Sequence, residues 1–138
     1  MNYLLDTCLL SEFLKKISNK GVLQWFDAQD DNTLYVSVLA IGEVQKGIAK
    51  LVESKRKTEL KYWLEKVVER FDRRILPFTI STANIWGEMK AELEAKGTML
   101  PVIDSLMAAT ALEHDLIIVT RNEDDFIASG VRVLNLWE

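Results

Sequence analysis

The stretch that decides the fold is LIIVT at residues 116–120. It is a continuous apolar and β-branched run, without the alternation of apolar and polar residues that a half-exposed strand shows. Such a run is typical of a parallel strand that is covered on both faces. A predicted helix at residues 102–114 precedes it, and another predicted strand follows at 131–135. We therefore expect a parallel sheet whose strands are joined by helices.

The rest of the chain continues this alternation. Short strands are predicted at residues 2–6, 33–38 and 74–78, and helices at residues 8–16, 21–29, 38–52, 55–72 and 81–96. The pattern predicts an α/β fold, a three-layer sandwich with a mainly parallel central sheet of four to five short strands. At 138 residues the chain is expected to be a single domain, spanning 1–138.

Composition and charge narrow the function classes. No apolar run reaches the roughly 18 residues of a membrane span, and the N-terminus lacks a secretory pattern, so we expect a cytoplasmic protein with no membrane partner. Cys8 is the single cysteine and His114 the single histidine, which excludes a His/Cys zinc cluster. Any metal must then be held by carboxylates, which favours Mg²⁺ or Mn²⁺. The net charge of −4 argues against broad nucleic-acid binding, but it permits a local basic patch.

Three carboxylates lie on otherwise apolar predicted elements. Asp6 directly follows the first strand, where it could also cap the next helix. Glu43 lies on the apolar stripe of helix 38–52, where it could instead pair with Lys46. Asp104 lies in the first turn of an apolar helix, where the helix dipole favours an acid. Burying ionised carboxylates is costly unless they are paired or bind metal, and one divalent-metal pocket at the carboxyl ends of the strands explains all three.

A polar cluster follows the LIIVT strand, in VTRNEDDF at residues 119–126. We expect Asp124 to lie in a solvated turn, and Asn122 and Asp125 to point back over the strand ends. His114 is expected at the surface, and the four tryptophans are expected to anchor the core or an interface.

Four segments, in this order, resemble the signature segments of PIN domains. They are LLDTCLLSE at 4–12, SVLAIGEVQKGI at 37–48, PVIDSLMAATAL at 101–112 and VTRNEDDF at 119–126. The resemblance covers nearly the whole chain and is strongest to the VapC and FitB toxins of bacterial toxin–antitoxin pairs. RILPF at 74–78 and VRVLNLW at 131–137 also resemble the FitB branch.

The resemblance implies a set of site residues. Asp6, Glu43 and Asp104 match the three core acidic positions of the family, and either Asp125 or Asn122 supplies the fourth. Asp6 and Asp104 would bind Mg²⁺ or Mn²⁺ directly, while Glu43 and the fourth residue complete the shell or orient water. Hydrogen-bonding side chains around these carboxylates are predicted at Thr7, Ser105, Thr120 and Asn122. Cys8 departs from the family, which commonly has Asn at that position.

The resemblance also implies an activity and partners. PIN-domain toxins are endoribonucleases in which metal-activated water leaves 3′-hydroxyl and 5′-phosphate ends. Contacts to the RNA backbone are predicted at Lys46, Lys50 and Arg121, whereas the charged residues 55–57 are expected to form a solvated helix start. The family implies a homodimer neutralised by a VapB/FitA-like antitoxin. Operator DNA would be bound only through that antitoxin.

Three alternatives remain at this stage. A haloacid-dehalogenase-like phosphatase needs a second Asp two residues after Asp6, where this chain has Cys8. A response-regulator receiver domain needs a phosphoacceptor Asp after a middle strand and a Lys after a late one, neither of which occurs here. A PIN fold that acts only as a catalytically weak binding scaffold is the third alternative. The three core acids argue against it, while Asn122 leaves it open.

Overall fold

The computed structural model describes residues 1–137. Its five strands are β1 Tyr3–Leu5, β2 Leu34–Ser37, β3 Ile75–Leu76, β4 Ile117–Val119 and β5 Val133–Leu134. They form one sheet in the order β3-β2-β1-β4-β5, and every neighbouring pair is parallel. The predicted α/β fold with a parallel central sheet is therefore confirmed.

Helices flank this sheet in the described part of the chain. They are α1 Thr7–Glu12, α2 Lys20–Ala28, α3 Val38–Ala49, α4 Lys55–Phe71, α5 Ile80–Ala95, α6 Val102–Glu113 and α7 Glu123–Ile127. Short 3-10 turns at Asp31–Thr33 and Asp72–Arg74 lead into β2 and β3. No helix within residues 1–137 is long and apolar enough to cross a membrane.

The two central strands, β1 and β4, are covered on both faces. Leu4 and Leu5 point to opposite faces of the sheet because they are neighbours in a strand, and both are fully buried. The same holds for Ile118 and Val119. Helices therefore pack on both sides of the sheet, as the apolar run at 116–120 predicted.

Local signals fix several helix ends. The Ser37 hydroxyl accepts the backbone N–H of Leu39 at 3.0 Å and caps α3. Helix α5 ends where Gly97 takes a positive φ of 72°, and the N–H of Thr98 donates to the carbonyl of Leu93 at 2.8 Å. That bond satisfies a carbonyl of the last turn, which is why a glycine terminates this helix.

Several bounds differ by a few residues, such as α3, which ends at Ala49 rather than at 52, and two elements differ more. Helix α1 ends at Glu12 rather than at residue 16, because the chain folds back there: the Ser18 hydroxyl donates to the Glu12 carbonyl at 2.7 Å, and the Asn19 N–H donates to the Glu12 carboxylate at 2.9 Å. Helix α7 forms where a solvated turn was predicted. Its acidic first turn suits the positive end of a helix, and the fully buried Phe126 anchors it to the core.

The tryptophans and the histidine lie as predicted. All four tryptophans are partly buried and pack against the hydrophobic core, and Trp25 meets Tyr3 edge to face with ring centroids 5.0 Å apart. His114 is exposed at the end of α6.

Candidate active site

The candidate site lies between β1 and β4, where the order in which strands are added to the sheet reverses. From β1 the chain builds β2 and β3 on one side and then β4 and β5 on the other, so β1 and β4 are neighbours whose following segments diverge. The N–H of Asp6 donates to the carbonyl of Val119 at 3.1 Å, which sets Asp6 beside Thr120 at the carboxyl edge. A crevice at such a point is where parallel sheets place their ligand sites.

Asp6 is a buried carboxylate held from two sides. It is 3% exposed. Its Oδ1 accepts the backbone N–H of Thr7 at 2.8 Å, and its Oδ2 accepts the hydroxyl of Thr120 at 2.7 Å. Burial raises the pKa of Asp6, the charge of Glu43 adds to the rise, and the hydrogen bonds oppose it. Asp6 is thus both the cap of α1 and a rigidly oriented acid.

Thr7 connects Asp6 to Glu43. Its hydroxyl donates to Glu43 Oε1 at 2.7 Å, while its backbone N–H donates to Asp6. Glu43 lies on the second turn of α3 and is half-buried. One residue at the start of α1 therefore orients two acids that are 37 positions apart in sequence.

Asp104 and Asp125 complete the cluster. Asp104 lies in the first turn of α6 and Asp125 in α7, both half-buried. The pKa of Asp104 rises to about 6, first because of burial and then because of the charges of Asp6, Asp125 and Glu43; a hydrogen bond with Asp125 adds to the rise. The fold thus brings four acids from different elements within electrostatic reach of one another.

The donor set fits a hard divalent cation. Its ligands are carboxylate oxygens, which Mg²⁺ and Mn²⁺ prefer. A cation would also offset the like charges that raise the pKa of Asp104. In residues 1–137, however, no three acidic, histidine or cysteine side chains are already arranged to hold a metal ion. The acids are close enough to influence one another without forming a closed ligand shell.

Thr120, Asn122 and Cys8 form the next layer around Asp6. Thr120 is fully buried, and its hydroxyl oxygen accepts the backbone N–H of Asn122 at 3.0 Å. Asn122 thus reaches the site through its backbone. The thiol of Cys8 lies 3.6 Å from Asp6 Oδ2 and 3.7 Å from the Thr120 hydroxyl. Burial and the charge of Asp6 raise the thiol pKa to about 11, so Cys8 stays protonated at neutral pH.

Ser105 has partners other than the predicted carboxylates. Its hydroxyl donates to the carbonyl of Val102 at 2.6 Å and accepts the indole N–H of Trp86 at 2.9 Å. The hydroxyl therefore ties the first turn of α6, which carries Asp104, to α5.

Two of the three predicted RNA-binding cations share a surface depression with an acid of the site. Lys46 shares a depression with Glu43, and Arg121 lines a polar depression of about 370 Å³ with Asp125. Lys50 is exposed at the C-cap of α3. Their contacts with RNA stay predictions.

Residues 55–57 were predicted to form a solvated helix start, and for Lys57 this is wrong. Lys57 is 8% exposed. Its ammonium donates to the carbonyl of Ala49 at 3.3 Å and to Glu53 at 2.8 Å, so it closes the end of α3.

Glu12 is the buried acid that sequence reasoning missed. It is 1% exposed and accepts Lys15 at 2.9 Å, the backbone N–H of Asn19 at 2.9 Å and the indole of Trp137 at 3.0 Å. In sequence Glu12 resembles an ordinary surface Glu of a helix, and its burial becomes visible only in the fold, where the backbone of Asn19 and the distant Trp137 donate to it.

Fold and geometry together define an α/β sandwich protein with a cluster of four acids at the carboxyl edge of its parallel sheet. The family model described as PIN domain matches residues 3–129. The chain is 33% identical over 135 residues to VapC ribonuclease Y4jK of Sinorhizobium fredii, covering 97% of this chain and 96% of that relative. It is 34% identical over 135 residues to Toxin FitB of Neisseria gonorrhoeae, covering 97% of each. The chain belongs to the PIN-domain family.

A solved structure supports the same relationship. FitAB bound to an IR36 DNA fragment contains a chain that superposes with a TM-score of 0.94 at 32% identity, covering 99% of this chain and 96% of that one. The resemblance to VapC and FitB toxins predicted from the four sequence segments is therefore confirmed.

Proposed function

We propose that this chain is the endoribonuclease toxin of a toxin–antitoxin pair and hydrolyses RNA with Mg²⁺ or Mn²⁺ at Asp6, Glu43, Asp104 and Asp125. The observation that carries the proposal is the convergence of four acids from separate elements, close enough for the three others to add to the rise that burial causes in the pKa of Asp104. Such crowding of like charges is costly unless a cation offsets it. The names of the ribonuclease and toxin relatives support the same activity.

The chain's own residues orient the acids for this chemistry. One or two divalent cations, held by Asp6 and Asp104 and completed by Glu43 and Asp125, would lower the pKa of a water molecule and offset charge on the phosphate. Asp6 needs little reorganisation, since Thr7 and Thr120 already fix both of its oxygens. Thr7 likewise fixes Glu43. With a pKa of about 6, Asp104 holds a proton part of the time near neutral pH, and a bound cation would favour its ionised form.

We also propose a VapB/FitA-like antitoxin as the cognate partner, with operator DNA bound only through it. The similar FitAB structure is a complex bound to DNA, and it supports this partnership. A homodimer and a cytoplasmic location belong to the same proposal. A basic side chain from the antitoxin would take the place of the cation in the acidic pocket and so explain neutralisation.

The test is RNA cleavage by the purified, antitoxin-free chain. We expect cleavage of bulk RNA with Mg²⁺ or Mn²⁺, none with EDTA, and products that carry 3′-hydroxyl and 5′-phosphate ends. Asp6→Ala and Asp104→Ala should each abolish cleavage, because each removes a direct ligand.

Three results would contradict the proposal. Cleavage that persists in EDTA would exclude the metal mechanism, and alanine variants that cut like the wild type would refute the site assignment. A folded wild-type chain that binds its antitoxin but cuts no RNA would favour a binding scaffold instead.

A further inference from the structure

A shallow depression of about 300 Å³ adjoins the acidic site. It lies between α3 and the start of α6 and is lined by Val38, Leu39, Gly42, Glu43, Lys46 and Ile103. We call it the Gly42 cleft. Glu43 is one of the four acids, and Ile103 directly precedes another, Asp104. Through Glu43, the cleft therefore borders the acids at which the phosphodiester would be cut.

The walls of the cleft combine apolar surface with one cation. Val38 is 41% exposed, and Leu39 and Ile103 are half-buried, so aliphatic surface faces the opening. Lys46 is exposed and lies one helical turn from Glu43 on the same helix. An apolar floor beside an ammonium group complements a group with an apolar face and a negative charge, which is the chemistry of a nucleotide.

Gly42 leaves the floor of the cleft open. It is a solvent-exposed residue in the middle of α3, and a Cβ built on it meets no atom within 4 Å. Glycine destabilises a helix interior relative to alanine, and nothing within residues 1–137 packs into the space that it leaves. Gly87 in α5 is equally open, but it lines neither this cleft nor the acidic site. The position of Gly42 beside Glu43, rather than its openness alone, therefore points to a ligand.

A protein segment has a better groove elsewhere on this chain. The groove between α3 and α4 has a volume of about 790 Å³ and is lined by Ile41, Leu64 and Val68 among others. The Gly42 cleft is smaller and includes Glu43, one of the four acids, which favours a nucleotide over a helix of a partner protein.

We propose that the Gly42 cleft binds the nucleotide next to the cleaved phosphodiester of a single-stranded RNA. This inference rests on the proposed function and extends it to a subsite for substrate. Base and ribose contact Val38, Leu39 and Ile103, and Lys46 contacts the neighbouring phosphate.

Gly42→Leu tests the cleft, because a leucine there fills it without a clash at its Cβ. The probe is a labelled single-stranded RNA of about 12 nucleotides, roughly the span of one single-strand binding groove, containing a site first mapped by wild-type cleavage of bulk RNA. We expect KM to rise by about tenfold or more, as expected when one base loses its contacts, with kcat within about twofold of wild type. Gly42→Ala should raise KM less, and Lys46→Met should raise it with a weaker salt dependence.

Gly87→Leu is the matched control, since it makes the same change at an equally open helical glycine, and we expect its KM to equal that of wild type. Thermal unfolding checks that each variant is folded. If Gly42→Leu does not fold, Lys46→Met and Gly42→Ala decide instead: a KM above that of wild type in both supports the cleft, and an unchanged KM in both overturns it.

The outcomes separate the two proposals. If wild type and Gly87→Leu cut the RNA and Gly42→Leu has an unchanged KM, the cleft does not bind a nucleotide, although the proposed function stands. An unchanged KM together with weaker antitoxin binding or a changed oligomeric mass would assign the cleft to a protein partner and overturn the inference. If wild type cuts no RNA in either metal, the proposed function fails and the inference falls with it.

Discussion

Replacing Thr7 by valine would isolate one hydrogen bond of the acidic site. Valine keeps the β-branched shape of threonine but loses the hydroxyl that donates to Glu43 at 2.7 Å. The backbone N–H of residue 7 remains and still donates to Asp6. The variant therefore changes the orientation of Glu43 and leaves the main contacts of Asp6 in place.

The size of the effect follows from the strength of that bond. A hydrogen bond to a charged group contributes about 1.5–3 kcal/mol, and the lower half of that range applies because Glu43 is only half-buried. At about 1.4 kcal/mol per factor of ten, we expect cleavage or metal affinity to fall by about 10- to 30-fold. The free energy of unfolding should fall by about 1–2 kcal/mol, because valine removes the hydroxyl while the half-buried Glu43 carboxylate can bind water in its place.

Single-turnover cleavage of the mapped RNA and calorimetric titration with Mn²⁺ measure the two effects. Thr7→Ser is the control, because it restores the hydroxyl, and it should recover most of the activity. If Thr7→Val cuts RNA and binds Mn²⁺ as wild type does, Thr7 does not orient a functional Glu43. Equal loss in Thr7→Val and Thr7→Ser would show that packing rather than the hydroxyl matters.

Three further predictions concern residues around the site. Glu12→Gln should lower the free energy of unfolding at pH 7 by about 1–3 kcal/mol, since the carboxylate accepts three donors. Burial acts to raise the pKa of Glu12, but the bonds from Asn19, Lys15 and Trp137 outweigh it and hold the pKa below its ordinary value of 4.5. The stabilisation is thus present above about pH 4.5 and is lost as the pH falls through the folded-state pKa. In urea unfolding, the free energies of unfolding of variant and wild type should therefore converge in acid. A difference that stays constant with pH would contradict this account. Lys57→Met should lower the free energy of unfolding in urea by about 1–2 kcal/mol, because the buried ammonium binds the last turn of α3. The KM for RNA should stay unchanged, and a raised KM would show that Lys57 contacts RNA. Cys8→Ala should change the cleavage rate by less than about threefold, because the thiol lies 3.6 Å from Asp6, a weak contact; a tenfold loss would assign the thiol a larger role.

Much of the fold was predictable because the decisive signals are local. The run at 116–120 is apolar at every position but the last, which indicates a strand buried on both faces, and the structure places β4 at the centre of the sheet. The carboxyl edge of a parallel sheet then gives a rule for where Asp6 must lie. Glu43 and Asp104 were found by a different signal, acids on apolar helices. The structure brings all three within electrostatic reach.

Thr7 and Thr120, which were predicted beside these carboxylates, do donate to them. The contacts of Ser105 and Glu12 could not be predicted, since they depend on side-chain direction and on distant residues. Ser105 follows Asp104 by one position, and a helix turns about 100° per residue, so its hydroxyl faces Trp86 on α5 instead. Helix α7 has five residues, too few for a periodic pattern to be visible. The burial of Glu12 depends in part on a hydrogen bond from Trp137, which is 125 positions further along the chain.

The most direct measurement compares Asp104→Asn with Asp124→Asn in single-turnover RNA cleavage at saturating Mn²⁺. Both changes remove one carboxylate charge, but Asp104 is coupled to the three other acids whereas Asp124 is exposed on α7. We expect the cleavage rate of Asp104→Asn to fall by about 100-fold or more, because the variant lacks a metal ligand, and the rate of Asp124→Asn to stay within about twofold of wild type. Equal rates for the two variants would contradict a metal-dependent ribonuclease site at these carboxylates.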